Sequence, residues 1–288
     1  MTLDELNGMD RAGFVAALGG VFEHGAWVAE AAYERRPFGT VAALHGAMMD
    51  CVLQSDAGRQ TAFLNGHPEL AGGAVLEPHS ALEQGGLGLD RLAGEGAGRF
   101  SAMNAAYRAR FGFPFIICVR RHTRASILGS FERRLGGAVA GERAAALEEI
   151  RRITRLRIVG LVEGPGLPRT GGGLSTHVLD HTRGGAAAGV VVELFVLEPE
   201  GPELVTTAVT NGDGRAPGGL IPDGEPLRIG RYEVRFHVGA YFARMGDPVA
   251  EPAYLDVVPV RIGLADAEAH YHVPLLVTPW TYTTYRGS

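Results

Sequence analysis

The chain has 288 residues, 46% of them hydrophobic, and a net charge of −5. That length favours two ordinary cores over one large one, and the acidic balance leaves no footprint for nucleic acid or an anionic membrane, so small molecules or copies of the chain itself are the expected partners. All 27 Lys+Arg residues are arginine, which excludes a lysine Schiff base, a pyridoxal phosphate aldimine and a P-loop lysine.

Cys51 and Cys118 are too few for a disulfide framework or a thiolate zinc site and point to a reducing compartment. The stretch Met1-Thr2-Leu3-Asp4-Glu5 lacks the regions of a signal peptide, and no apolar run approaches a membrane span. A soluble cytoplasmic protein is expected.

From Asp10 to Leu53 the pattern is helical, with Phe14, Val15, Leu18, Val21 and Phe22 at three- and four-residue spacing and a break at Arg36-Pro37-Phe38. Val41 to Leu53 reads as core, with His45 packed or at the surface. At His67-Pro68 the proline disfavours helix in the residue before it, which sets His67 at a helix boundary. Ser80 suits a helix cap with Glu83 as its capping-box partner. Gly85 to Leu89 lacks the flanking strand and acidic residue of a dinucleotide fingerprint and reads as a loop. A helix pattern returns from Arg99 to Arg110. The apolar run Phe111-Gly112-Phe113-Pro114-Phe115-Ile116-Ile117-Cys118, broken by Gly and Pro, should line a pocket or a subunit interface. A last long helix runs from about Gly141 to Val162.

Trp27 with Arg36-Pro37-Phe38, His67-Pro68, Ser80 with Glu83-Gln84, Asn104 with Tyr107, and Phe111-Gly112-Phe113-Pro114-Phe115 together resemble the decarboxylases of 2-oxo-4-hydroxy-4-carboxy-5-ureidoimidazoline (OHCU), over about residues 10 to 160. That family acts in urate breakdown, is all-α and uses no metal or organic cofactor. The resemblance implies that His67 is the catalytic acid/base and that Glu83 supports the reacting group. It implies substrate contacts from Ser80, Gln84, Ile117 and an arginine of the last helix, taken as Arg155, with Arg152 and Arg157 close by. Decarboxylation leaves an electron pair that must be delocalised and then protonated on one face, which a histidine can do.

Gly164-Pro165-Gly166-Leu167-Pro168-Arg169-Thr170-Gly171-Gly172-Gly173 neither continues a helix nor starts a strand and reads as a linker of about ten residues. Beyond it the period becomes two. Val190, Val192, Leu194 and Val196 share one strand face, and Tyr232, Val234, Phe236 and Val238 alternate with Glu233, Arg235 and His237. Thr210-Asn211-Gly212-Asp213-Gly214-Arg215 is a turn, and Leu255 to Ile262 is a strand in which Pro259 indicates an edge or bulge. Short strands with turn signals make a β-sandwich. His270 and His272 project to one side of their strand while Tyr271 points away. Such a pair suits zinc, yet no third ligand is marked by spacing, and the non-metal reading stands first.

Leu174-Ser175-Thr176-His177-Val178-Leu179-Asp180, Asn211-Gly212-Asp213-Gly214-Arg215, His272-Val273-Pro274-Leu275-Leu276 and Tyr285-Arg286-Gly287-Ser288 resemble the 5-hydroxyisourate hydrolases of the transthyretin-related group. Transthyretin lacks the last of these motifs and binds hormones without catalysis. The resemblance implies that His177, Arg215 and His272 form the catalytic set, with Tyr285 and Ser288 completing the pocket. A histidine activates water against the ring carbonyl, and Arg215 binds the urate-like oxygens and the developing oxyanion. Ser288 orients water or substrate rather than acting as a nucleophile.

The expected architecture is multidomain α and β: an all-α domain at residues 1–163, a Gly/Pro linker at 164–173 and a transthyretin-like β-sandwich at 174–288. The expected function is hydrolysis of 5-hydroxyisourate to OHCU followed by decarboxylation to (S)-allantoin, without cofactor or metal, in a cytoplasmic homotetramer assembled through the β domain. The alternatives are a chain in which only the hydrolase is active, and a transthyretin-like small-molecule binding protein with an inactive helical domain.

Overall fold

The computed structural model describes residues 1–72, 77–88, 94–224, 227–247 and 250–287. It divides into two compact units, one of Met1–Arg120 with Ile127–Pro168 and one of Arg121–Ser126 with Arg169–Ser288.

The first half of the chain is helical: α1 (Leu3–Gly8), α2 (Arg11–Leu18), α3 (Ala26–Tyr33), α4 (Val41–Leu53), α5 (Ala57–Asn65), α6 (Pro78–Gly85), α7 (Gly94–Phe111), α8 (Arg124–Leu135) and α9 (Val139–Leu161). Short polar side chains start several of them by accepting otherwise unpaired amide protons. Thr2 and Glu5 form a reciprocal capping box, Asp10 caps α2, Thr40 caps α4 and Asp56 caps α5. The expected cap at Ser80 is corrected. The α6 helix begins at Glu77 with Pro78 in its first turn, so Ser80 lies one turn inside and its hydroxyl is free to act elsewhere.

The core of this half is aromatic. Phe14, Phe22, Tyr107, Phe115 and Phe131 are fully buried. The run after α7 is extended, and Phe113, Phe115, Ile116 and Ile117 are buried there. The Phe115 ring stacks on Phe131 at 3.9 Å between centroids, and Tyr107 meets both edge-on at 5.3 and 5.6 Å. Arg134 holds the run in place by donating to the Ile116 carbonyl at 2.7 Å. His45 is packed rather than exposed, with its Nε2 2.9 Å from Thr154 Oγ1 on α9. After α9 no helix or strand forms from residue 164 to 172, and the Pro165 and Gly166 carbonyls accept from Val41 and Ala42 at 2.9 and 3.3 Å.

The second half is a sandwich of two four-stranded sheets. One has the order β2 (Gly185–Ala186), β1 (Gly173–Asp180), β7 (His270–Val277), β8 (Tyr282–Thr284). The other has β4 (Gly201–Val209), β3 (Val191–Glu198), β5 (Gly230–His237), β6 (Val257–Leu264). Alternation decides which residues point inward. Leu174, Val178, Val192, Leu194, Val234, Phe236, Tyr271, Val273 and Leu275 fill the space between the sheets. Pro259 sits on the edge strand β6, where a missing N–H is tolerated. The alternation stops one residue early, because Val238 opens a short helix, α10 (Val238–Arg244). The strands β1 and β7 run parallel in the register Gly173↔His270, Ser175↔His272 and His177↔Pro274. This pairing brings segments far apart in the chain onto one sheet face. Among the described residues no helix is long and apolar enough to cross a membrane.

Truncating Phe131 to Ala removes the ring on which Phe115 and Tyr107 rest, and should destabilise the helical half by about 3–5 kcal/mol. Chemical denaturation followed by circular dichroism should then show an earlier loss of helical signal, with the β transition unmoved.

Candidate active sites

Two clusters of chemically active side chains stand out, one in each half. The first lies between α5, α6, the extended run after α7, and α9, and is lined by His67, Pro68, Leu70, Ser80, Glu83, Gln84, Phe115, Ile116, Ile117, Val119, Ile153 and Arg157. Ser80, Glu83 and Gln84 share a face of α6 because three- and four-residue steps return to the same side of a helix. Ile153 and Arg157 share a face of α9 for the same reason.

Arg157 organises the pocket. It is 4% exposed, and it donates to both Glu83 oxygens at 3.0 and 2.8 Å, to Glu23 Oε2 at 3.3 Å, to Ser80 Oγ at 3.2 Å and to the Val21 carbonyl at 3.2 Å. Ser80 in turn donates to Glu23 Oε2 at 2.8 Å. Gln84 Oε1 accepts from the Ala71 amide at 3.1 Å, which leaves its NH2 group to face the pocket or its walls. The sequence expectation named Arg155, but Arg157 is the arginine that lines the pocket. Two residues along a helix turn the side chain by about 200°, and the positive charge of Arg155 acts on His45 instead. Glu23 is buried at 1% exposure and carries no sequence signal beyond its own charge in an apolar stretch.

His67 follows the end of α5, and its Nδ1 lies 3.1 Å from the Phe63 carbonyl. A carbonyl only accepts, so Nδ1 carries the proton and Nε2 is left with a lone pair. Burial pushes the imidazole down to about 4. The Phe63 hydrogen bond works against that shift, while the charges of Arg157 and His24 add to it. At neutral pH this ring is an uncharged base.

The second cluster is on the outer face of the β2–β1–β7–β8 sheet. Ser175 and His177 on β1 lie beside His270 and His272 on β7. Arg215 forms an isolated bridge with His177, and Gly287 forms one with His272, its N–H donating to the His272 carbonyl at 2.9 Å. A Cβ on Gly287 would stand 2.5 Å from the His272 ring, so the chain passes the imidazole only as glycine. The Arg215 turn is held by the Asn211 side chain, which accepts from the amides of Asp213 and Arg215 at 3.0 Å each. Burial lowers the pKa of His272, and the positive charge of Arg215 and the nearby His177 and His270 press it the same way.

Tyr285 is 58% exposed, two residues before Gly287. Ser288 lies outside the described residues. Ser175 and Asp223 were not singled out as site residues in the sequence. Ser175 shares its alternation with His177 and was legible in that sense, whereas Asp223 in a Pro-Asp-Gly turn carries no pattern. Asp180, in the same motif as His177, turns inward and accepts from Tyr241, Arg183 and two backbone amides, a structural role. Among the described residues the one group with metal-ligand spacing is Glu23, His24 and Glu77.

The first half matches the family described as OHCU decarboxylase over residues 7–159, and the second matches the HIUase/Transthyretin family over residues 174–287. A 5-hydroxyisourate hydrolase 2 of Rhizobium meliloti is 48% identical over 117 residues, 41% of this chain and 97% of that protein. A 2-oxo-4-hydroxy-4-carboxy-5-ureidoimidazoline decarboxylase of Haloferax volcanii is 35% identical over 158 residues, 55% of this chain and 94% of that one. A crystal structure of (S)-allantoin synthase covers 100% of both chains at 34% identity, with a TM-score of 0.54.

The half-buried His67 ring makes a direct prediction. Its NMR signals should stay those of a neutral imidazole as pH falls to about 5 and titrate with a midpoint near 4. Because an unfolded histidine titrates near 6.5, the fold should lose stability as pH falls from there towards 4. A midpoint at 6.5 or above would mean that water reaches the ring freely.

Proposed function

The chain belongs to the OHCU decarboxylase family through its first half and to the HIUase/transthyretin family through its second, and from that membership we propose that it catalyses two consecutive steps of urate breakdown. The β half hydrolyses 5-hydroxyisourate to OHCU, and the helical half decarboxylates OHCU to (S)-allantoin. The observation that carries the proposal is that one chain matches both families, over residues 7–159 and 174–287.

In the β half, ring opening needs a base for water and a cation for the oxyanion. The neutral His272, with its lowered pKa, and His177 supply the base, and the exposed Arg215 guanidinium meets the oxygens of the substrate and the charge that grows on the attacked carbonyl. Tyr285 and Ser288 complete the pocket and orient substrate or water.

In the helical half, the C–C bond to the carboxylate breaks, CO2 departs, and the electron pair passes into the ring until a proton arrives. His67 Nε2 is unprotonated in the resting site, so it first accepts the proton of the substrate hydroxyl and then returns it to one ring face. That order follows from the Nδ1–H bond to Phe63. Ser80 and Gln84 face the ring oxygens, while Arg157, whose N–H groups are all committed within the protein, supplies the positive charge beside them in the place expected for Arg155. Glu83 keeps the guanidinium in plane through its two-point contact. The apolar walls from Phe115 to Ile117 and Ile153 exclude water from the carbanion.

Assembly as a homotetramer through the β halves is part of the proposal. It is supported by the resemblance to the transthyretin-related group and by the exposed Trp280 and Tyr282 at and beside the edge strand β8. A cytoplasmic location is likewise proposed, in keeping with Cys51 and Cys118 both being thiols.

Two substitutions separate the steps. His67→Ala should leave loss of 5-hydroxyisourate absorbance unchanged and reduce formation of optically active allantoin by about 100-fold or more. His177→Ala should slow ring opening and leave decarboxylation of preformed OHCU intact. Loss of both activities in either folded variant would contradict two independent sites.

A further inference from the structure

Beyond the residues the motifs mark, an unbroken line of hydrogen bonds runs from the loop before β5 to His272. Asp223 Oδ1 lies 2.9 Å from His270 Nδ1, His270 Nε2 lies 2.8 Å from Ser175 Oγ, and Ser175 Oγ lies 3.0 Å from His272 Nδ1. We propose that Asp223, His270 and Ser175 form a proton relay that fixes the tautomer of His272 and receives the proton this base gains during ring opening. The inference deepens the hydrolase reading above and rests on it.

The direction of the relay follows from what each atom can do. A carboxylate only accepts, so His270 Nδ1 donates to Asp223. The neutral His270 ring then has its lone pair on Nε2, where the Ser175 hydroxyl donates. With its own proton committed, Ser175 Oγ accepts from His272 Nδ1–H. The remaining nitrogen of His272, Nε2, is therefore the basic one. Reversing a single bond would break this order. If Ser175 donated to His272 Nδ1, the Nε2 of His272 would hold the proton and the ring would be no base.

The same line carries a proton away. When His272 Nε2 takes a proton from water as the hydroxide attacks the ring carbonyl, the Nδ1 proton passes to Ser175 Oγ and the Ser175 proton passes to His270 Nε2. One proton enters and one charge is made. That charge ends on His270 against the Asp223 carboxylate, and His272 is left neutral beside Arg215. The return path supplies the proton to the departing ring nitrogen.

The chain is built to bring these groups together. The parallel register sets Ser175 beside His272 and Gly173 beside His270 on one face of the sheet. The segment bearing Asp223 is pinned to β1 on both sides, by Leu174 N–H to the Ile221 carbonyl at 2.9 Å, Ile221 N–H to the Leu174 carbonyl at 3.0 Å, and Gly224 N–H to the Gly172 carbonyl at 3.1 Å. A Cβ at position 173 would stand 2.1 Å from Asp223 Oδ1 and 3.1 Å from His270 Nδ1. Glycine there is the gap through which the carboxylate reaches the ring. Ser175, His270 and Asp223 are positioning residues, since they act through His272.

The test combines 15N NMR of the histidine rings with ring-opening kinetics on the full chain. In the unsubstituted protein His272 should be the Nδ1–H tautomer. Asp223→Asn replaces a group that only accepts with an amide that can also donate, and removes the charge against which the proton comes to rest, so it should give a mixture of His272 tautomers and a fall in kcat for ring opening of about 10- to 100-fold, with KM changed less than about two-fold. Ser175→Ala should do the same, and Ser175→Thr, which keeps the hydroxyl, should restore both readouts. Unchanged tautomer and kcat in folded Asp223→Asn and Ser175→Ala proteins would overturn the relay. Retention of ring opening by His272→Ala would instead overturn the hydrolase reading of this site, so the two failures are distinguishable.

Discussion

A guanidinium taken out of water must find all its partners inside the protein, and Arg157 is such a group. Two carboxylates, a hydroxyl and a backbone carbonyl surround it, and they come from α6 and from the Val21–Glu23 segment before α3. Removing one partner of a buried pair leaves a charge uncompensated at a cost of about 3–5 kcal/mol, so the positions of these elements are tied to one another. The pocket is the space left beside that cluster. His67 shares the same dry surroundings, which is why its ring is held neutral and its lone pair is available.

The β half solves a different problem. Its site is on an open sheet face, where the side chains are set by the parallel β1–β7 pairing rather than by a packed ion cluster. Three segments distant in sequence converge on that face: the strand of Ser175 and His177, the turn of Arg215, and the passage of Gly287 against His272. Reactive groups there are kept in order by hydrogen-bond direction, one donor to one acceptor. The two halves thus reach the same condition, an uncharged histidine with a defined lone pair, one by desolvation against a carbonyl and the other by a chain of polar partners.

Much of this was readable before any coordinates. The change of period from helical to alternating beyond the Gly/Pro stretch, the break at His67-Pro68, the Asn211–Arg215 turn and the shared side of His270 and His272 all follow from local rules, and the structure keeps them, with β1 already begun at Gly173. What was hidden depends on partners far along the chain. Arg155 and Arg157 are indistinguishable by composition, and only the facing of α9 towards α6 selects Arg157. Ser80 reads as a cap until Pro78 is seen to start the helix one turn earlier. Val238 continues the strand pattern yet opens α10, because hydrophobic alternation does not record where the backbone turns. Asp223 gains its meaning only from the close passage of Gly173.

Joining the two activities in one chain keeps the second site at high effective concentration for the product of the first. The most direct measurement supplies freshly made 5-hydroxyisourate to the intact protein and follows absorbance and circular dichroism together. Both steps in one chain predict rapid loss of substrate accompanied by the signal of a single allantoin enantiomer, without an added enzyme. Rapid loss of substrate followed by slow, optically inactive allantoin would contradict the account.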